Sequence, residues 1–332
     1  MNFAFDRRSF LRIFGTAATG ITVVPRALQK TAQAETVPAP LAVKKLADSI
    51  LLITGAGANS LAVLGPDGVL MVDGGSSERS AELLKLVAEQ SGGKPVQVLF
   101  NTCWDTDRTG SNETLGNAGA KIIAHENTRL WLGAEFDSRW RKRTYEPHPK
   151  AALPNQTFYS GAQTMNFGGQ TIEYGYLMQA HTDGDIYVYF PGPNILMAGG
   201  VVGGDCYPVL DYDTGGWIGP GDKVDARYSD ATAPNGMVGA QRKLLKLTTA
   251  DTRVIPGNGP AMTRADLEEE SEMLATVRDR LIKLIRMGYG PKDMIAAKPT
   301  REFDAKYGDP EQFIALAYMG LWGHLHELGG IV

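Results

Sequence analysis

The chain has 332 residues, with 33 Lys and Arg against 37 Asp and Glu, for a formal net charge of −4. That length is enough for one large α/β domain or two small ones. The mild acidity argues against nucleic acid and anionic membrane surfaces as partners, and two cysteines, Cys103 and Cys206, are too few for a disulfide framework.

Arg7-Arg8 within Asp6-Arg7-Arg8-Ser9-Phe10-Leu11-Arg12, an apolar run over 13–24 and Ala32-Gln33-Ala34 read as a twin-arginine signal peptide spanning 1–34. The 12-residue apolar run is too short to span a bilayer, which needs about 20 residues. Its removal leaves 298 residues carrying 28 basic and 36 acidic side chains, a net −8. The expectation is a periplasmic protein without a transmembrane anchor after cleavage. In an oxidising compartment a Cys103–Cys206 bridge is conceivable.

Strands are predicted over 50–53, 59–64 and 69–72, separated by Gly55-Ala56-Gly57 and Gly65-Pro66-Asp67-Gly68 turns. A helix over 77–90 places Leu83, Leu84 and Val87 on one face. Strands at 95–100 and 121–124 flank a loop over 101–112 and a helix over 111–118. The segment 132–157 is polar and aperiodic, a long surface excursion of the kind that covers sites. Strands follow at 171–176, 186–190 and 194–197, then a Gly-rich loop over 199–221. Helices over 237–247 and 264–287 enclose a strand at 253–256. The apolar stretch 313–325 reads as core.

The loop 101–112 reads Asn-Thr-Cys-Trp-Asp-Thr-Asp-Arg-Thr-Gly-Ser-Asn. Met71-Val72-Asp73-Gly74-Gly75 precedes it. Ala180-His181-Thr182-Asp183-Gly184-Asp185, the strand end 195–200 and Ile255-Pro256-Gly257-Asn258-Gly259-Pro260 follow it. In that order the five segments resemble the motifs of the metallo-β-lactamase-fold hydrolase superfamily. The resemblance runs over nearly all of 35–332. It implies a four-layer αββα sandwich with a C-terminal helical extension. Ala297–Thr300 and Phe303–Lys306 are similar to a C-terminal segment of exported members.

The resemblance also implies metal-site positions. In the family the loop reads H-x-H-x-D-H, and here it reads Cys103-x-Asp105-x-Asp107-Arg108. The first zinc would fall to Cys103, Asp105 and His181. The second would fall to Asp107, Arg108, Gly200 and Asn258. Gly200 has no side chain, Asn258 is a weak neutral donor, and Arg108 brings a permanent cation into a cation's place. The second position is therefore expected to be filled by an Arg108–Asp107 salt bridge. Cys, Asp and His are legitimate zinc ligands, but a thiolate and a carboxylate would neutralise the ion and blunt its Lewis acidity. Two cofactor readings stay open: none, with Cys103 a buried hydrophobe and Asp105 and Asp107 paired with Arg108, or one zinc ion. A Cys103–His181 nucleophile pair is opposed by the neighbouring carboxylates, which raise a thiol pKa.

Tyr207, Asp211, Tyr212, Asp213 and Trp217 on one loop, and Trp131, Trp140, Arg141 and Arg143 on the excursion, are candidates for an aromatic, charged mouth. His125 reads as structural, His148 as exposed, and His324 and His326 as poor co-ligands. Three functions remain. The chain is a degenerate, hydrolase-like pseudoenzyme that binds a small molecule or a periplasmic protein. Alternatively it is a mononuclear hydrolase of an ester, thioester or lactam, or a structural subunit of a periplasmic complex.

Overall fold

Successive side chains of a strand point to opposite faces, and here both faces of the central strands are apolar. In the computed structural model, which describes residues 40–220 and 235–324, that pattern produces the layers. Strands β1 (Ala42–Ala47), β2 (Ile50–Ala56), β3 (Ala58–Leu64), β4 (Val69–Val72), β5 (Val96–Phe100) and β6 (Lys121–His125) lie side by side in chain order. A hairpin of β7 (Phe136–Ser138) and β8 (Arg143–Tyr145) follows, and β9 (Gln156–Phe158) completes the first sheet beside β6. The second sheet holds β10 (Ala162–Phe167), β11 (Gln170–Tyr176), β12 (Ile186–Phe190), β13 (Ile195–Gly199) and β14 (Arg253–Pro256). Both sheets begin antiparallel, and pairing turns parallel from β4 in the first and between β13 and β14 in the second.

The helices are α1 (Ser80–Ser91), α2 (Asn112–Asn117), α3 (Glu126–Gly133), α4 (Gly236–Leu247), α5 (Arg264–Arg286), α6 (Pro291–Ala297), α7 (Asp304–Tyr307) and α8 (Glu311–Gly323). Leu61, Val63, Leu70 and Val72 face Ile195, Met197 and Ile255 across the sheet–sheet core. Their neighbours Ala62, Val69 and Met71 turn outward onto Leu83 and Val87 of α1 and Leu115 of α2. Leu196, Ala198 and Val254 turn outward onto α4, α5 and α8, through Leu244, Leu274, Val277 and Leu321. This is the expected αββα sandwich. Each fully buried aliphatic side chain contributes about 1.5–3 kcal/mol. Thr263 and Asp266 form a capping box that starts α5. No helix among the described residues is long and apolar enough to cross a membrane.

Five strands have no counterpart in the sequence reading: β1, β9, β10 and the hairpin strands β7 and β8. Four of six residues in β1 and four of six in β10 are exposed, so neither carries a buried alternation. The excursion 132–157 is also more ordered than its composition implies. Phe136 and Tyr145 of its hairpin pack edge-on against Trp104 at 5.0 and 4.9 Å, which anchors it beside the loop 101–112. The expected signal segment 1–34 and His326 lie outside the described residues. Cys103 and Cys206 are both free, one buried and one exposed, so the conceivable bridge is not formed.

Candidate functional site

Strand β5 delivers the chain into the loop 101–112 at the C-terminal edge of the parallel part of the first sheet, where open α/β sheets carry their sites. The loop ends are tied by reciprocal side-chain amide bonds between Asn101 and Asn112, at 3.0 and 2.9 Å. Asp73, at the end of β4 with a left-handed φ of 61°, accepts from Thr102 N and Oγ1 at 2.8 and 2.7 Å. Ser111 Oγ donates to Gly74 O, and Gly110 N donates to Gly75 O. Gly110 is required, because a Cβ there would lie 2.2 Å from backbone atoms of Ser76 and Ser77. None of these ties involves a candidate metal ligand.

Side chains of this loop, one from the β7–β8 hairpin and one from beyond β11 then meet. His181 Nε2 lies 2.7 Å from Asp105 Oδ2, and His181 Nδ1 lies 2.9 Å from Val209 O. A carbonyl accepts and never donates, so Nδ1 carries a proton. Nε2 facing an ionised carboxylate carries one as well. His181 is therefore an imidazolium. Burial lowers its pKa, but the Asp105 charge and hydrogen bond outweigh burial and hold it well above the usual histidine value. Arg141 Nη2 donates to the other oxygen, Asp105 Oδ1, at 2.7 Å. Burial pushes the Asp105 carboxyl up, and the charges of His181, Arg141 and Arg108 win and hold it well below the carboxylate range. Cys103, wholly buried beside this pair, is pushed up to about 12 by burial and then by the Asp105 charge, so it is a neutral thiol. A buried neutral thiol weighs against the nucleophile reading of Cys103.

Arg108 does not close onto Asp107 as its sequence position implies. Its guanidinium is spread among Asp73 at 3.5 Å, Asp107 at 3.7 Å and Asp105 at 4.0 Å. Its Nε and Nη1 find no hydrogen-bond partner. Beside His181, the partner of Asp105 is Arg141, 36 positions away, whose guanidinium lies over the Trp104 and Trp140 rings at 5.0 and 4.7 Å. Arg108 instead lies over Gly257, where a Cβ would come within 2.3 Å of Nη2. The His181 ring likewise lies over Gly200, where a Cβ would come within 2.5 Å of Cδ2. Asn258 is exposed and turns its amide nitrogen to Gly57 O at 3.1 Å. Asp73, whose carboxyl burial raises to about 6 against the pull of Arg108 and Thr102, is a member of the cluster that the motif reading took only for a strand end. Its signal was an acid at the C-terminal end of a strand followed by two glycines.

These groups floor a cavity of about 310 Å³. Asp105, Asp107, Arg108, Arg141, His181, Gly200 and Asn258 border it, and Trp140, Val202, Tyr207, Pro208 and Val209 supply an apolar wall. Of the mouth residues expected on the 199–221 loop, Tyr207 borders the cavity. Asp211, Tyr212 and Trp217 stand back from it. Asp211 is fully buried behind Arg141 and accepts from Trp140 Nε1; Tyr212 lies under Arg139; Trp217 is core, stacked on His324 at 3.9 Å. Asp213 holds Arg139, and Trp131 donates to Asp183. Arg143 is exposed and lies over Tyr145. His125 caps α3, stacks on Tyr176 and binds Tyr159 O, a satisfied structural histidine, and His148 is partly buried rather than exposed.

The profile of the metallo-beta-lactamase superfamily matches residues 53–273. The chain belongs to that superfamily. Among solved structures it is similar to the metallo-beta-lactamase from Pontibacter korlensis, with 22% identity, a TM-score of 0.52 and coverage of 70% of this chain and 98% of that one. It is also similar to the stereoselective inverting sec-alkylsulfatase Pisa1 from Pseudomonas sp., with 16% identity and a TM-score of 0.61, covering 84% of this chain and half of that one. The DIM-1 metallo-beta-lactamase aligns with 19% identity, a TM-score of 0.50 and coverage of 72% and 98%. At these identities the likeness is one of fold.

Superfamily members typically bind zinc, so the donors present decide what this chain can hold. A second ion does not fit: its ground is taken by the Arg108 guanidinium, and any side chain at Gly200 collides with His181. At the first position Cys103, Asp105 and His181 offer ligand atoms within 4.8 Å of one another. One ion there must displace the protons of His181 and Cys103 and pull Asp105 from Arg141.

Proposed function

We propose that this chain is a pseudoenzyme of the metallo-β-lactamase superfamily, a metal-independent protein that binds a small molecule in the cavity above Asp105. One observation carries the reading. Asp105 is bonded on one oxygen by Arg141 and on the other by His181, with Arg108 beside them, so protein cations neutralise the carboxylates that a metal would otherwise serve. Hydrolysis in this fold needs a metal-activated hydroxide. A site that compensates its charge internally offers a pocket without that nucleophile.

The test is metal content. The chain purified without added metal is expected to lack stoichiometric zinc, and its melting temperature to be insensitive to a chelator. Stoichiometric zinc that disappears in Cys103→Ala or His181→Ala would overturn the reading. It would favour the second one, a mononuclear hydrolase built on Cys103, Asp105 and His181, whose specific support is the proximity of their donor atoms. Release of product from an ester, thioester or lactam by the zinc-loaded chain would then be expected.

The proposal extends to export through the twin-arginine route to the periplasm, supported by Arg7-Arg8 and the following apolar run. Loss of export of the full chain on Arg7→Lys with Arg8→Lys is the expected result. The mild net negative charge supports a small molecule or a protein as partner over nucleic acid.

A further inference from the structure

We propose that the β7–β8 hairpin is an autoinhibitory strap: its Arg141 side chain is a tethered cation that closes a latent one-metal site formed by Cys103, Asp105 and His181. The inference rests on the metal-independent reading above and names the regulation of the same site. The three side chains are already set out as ligands. Their donor atoms lie within 4.8 Å of one another, and all three residues are buried. His181 turns Nε2 to this group while Nδ1 donates to Val209 O at 2.9 Å, the outer hydrogen bond that orients a metal-binding imidazole. A thiolate, a carboxylate and an imidazole suit zinc and softer divalent ions. One guanidinium competes with an ion for this group. Arg141 Nη2 lies 2.7 Å from Asp105 Oδ1 and 3.4 Å from Asp211 Oδ2, so it holds the carboxylate oxygen that His181 leaves free. Arg108 makes no hydrogen bond to Asp105, and its Nε stands 4.0 Å away.

Arg141 also differs from Arg108 in where it comes from. Arg108 belongs to the loop 101–112 itself and is buried over Gly257. Arg141 reaches Asp105 from a separate element, borders the cavity and keeps part of its side chain exposed. Its Nε has no hydrogen-bond partner. The hairpin that carries it is latched at its turn. Asp213, whose side chain is 3% exposed, accepts from Arg139 N at 2.7 Å, Arg139 Nε at 3.0 Å, Ser138 Oγ at 3.2 Å and Trp140 N at 3.3 Å. Asp211 accepts from Trp140 Nε1 at 2.9 Å. The three residues just ahead of Arg141 are thus held against the segment 211–213. An ion bound to Asp105 with Arg141 in place would put two cations on one buried carboxylate, where their repulsion is strong. With Arg141 withdrawn, a divalent ion takes the place of two protons, one from the Cys103 thiol and one from His181 Nε2. Both protons leave to solvent, and the charge of the cluster is conserved.

The experiment titrates the full chain with Cd²⁺ alone, read by the ultraviolet thiolate-to-metal charge-transfer band and by elemental analysis of the same samples. Every titrated chain carries Cys206→Ser unless it is tested as purified, which leaves Cys103 as the single thiol. Arg141→Met removes the charge and keeps an unbranched side chain. It is expected to bind one Cd²⁺ about a hundredfold more tightly than the Cys206→Ser parent. Arg141→Lys keeps a cation on the strap and is expected to bind no more tightly than the parent. Adding Cys103→Ala to Arg141→Met is expected to abolish both the band and the bound ion. Asp213→Ala removes the acceptor of all four turn bonds with the cluster intact, and is expected to tighten Cd²⁺ severalfold. Absence of Cd²⁺ binding to a folded Arg141→Met chain overturns this inference and leaves the metal-independent reading standing. Equal binding by the Met and Lys variants overturns it as well, as does an ion retained after Cys103→Ala. Should Arg141→Met fail to fold, Cd²⁺ binding by Asp213→Ala no tighter than the parent's overturns it. Stoichiometric zinc in the unmodified chain, purified without added metal, overturns the metal-independent reading itself and the strap with it.

Discussion

Arg108→Met tests the claim that this arginine neutralises the buried carboxylates. At 3.5 Å and an effective dielectric of about 20, its attraction to Asp73 is about 5 kcal/mol before solvation is counted, and the Asp105 and Asp107 terms are of similar order. Breaking a buried pair by removing one partner typically costs about 3–5 kcal/mol, and Asp73 has no exposed surface through which water could relieve it. The expected loss in unfolding free energy at pH 8 is therefore about 3–5 kcal/mol. Its pH dependence carries the sharper test. Burial already raises the Asp73 carboxyl to about 6 in the folded chain, above its usual 3.8, so stability falls as pH rises through that window. Without Arg108 the folded value rises further, and the folded chain holds a proton to higher pH. The variant's deficit should then shrink on acidification to pH 5, by about 1.4 kcal/mol for each unit of added shift. Urea unfolding of both chains at pH 5 and pH 8 measures this. A deficit below 1 kcal/mol at pH 8, or one of equal size at both pH values, would refute the argument.

Three further outcomes are expected. Gly200→Asp restores the family's bridging carboxylate in name, but its Cβ lands 2.5 Å from the His181 ring; it should cost about 1–3 kcal/mol and add no metal by elemental analysis. Glu270, fully buried on α5, accepts from Gly203 N, Gly204 N and Gln241 Nε2, and burial raises its carboxyl from 4.5 to about 7. Its raised folded value means that stability declines as pH climbs from about 4.5 to 7. Glu270→Gln should flatten that decline, gaining on the parent by up to about 3 kcal/mol between pH 5 and pH 8 in denaturation curves; parallel curves would contradict it. Asn112→Ala removes the amide pair with Asn101 and a bond to Ala152 O, and should cost about 2–3 kcal/mol and speed amide exchange across 101–112.

Much of the fold was legible because its signal is local. Leu61, Ala62 and Val63 reveal a doubly buried strand by composition alone, and Leu83 with Val87 reveals which face of α1 is inside. Strands β1 and β10 were not legible, since their pairing is set by neighbours rather than by their own side chains. The site divides the same way. The positions Cys103, Asp105 and His181 follow from motif order, and the structure brings them together. The partnership of Arg141 with Asp105 does not follow from spacing. It depends on Trp104, Tyr145 and Phe136 pinning an aperiodic excursion to the loop, and no periodicity encodes that. Similarly, the sequence shows that Gly200 lacks a ligand but not that His181 covers it.

The persistence of the loop geometry without the family's ligands has a physical cause. Asn101 with Asn112, Asp73 with Thr102, and Ser111 with Gly74 hold the loop from outside the ligand set. The ligand positions could therefore change without the frame collapsing, provided that their charge stayed balanced. Removing divalent cations from such a cluster would leave buried carboxylates unpaired, each with a penalty of several kcal/mol. Arg108, Arg141 and a doubly protonated His181 answer that penalty from within the chain. The balance is uneven, however. Arg141 and His181 each bond one oxygen of Asp105, whereas Arg108 balances charge without making hydrogen bonds, and the Nε of Arg141 is left without a partner as well. Charge neutrality and hydrogen-bond satisfaction are separate requirements, and at this site the protein meets the first and leaves the second incomplete at buried arginine nitrogens.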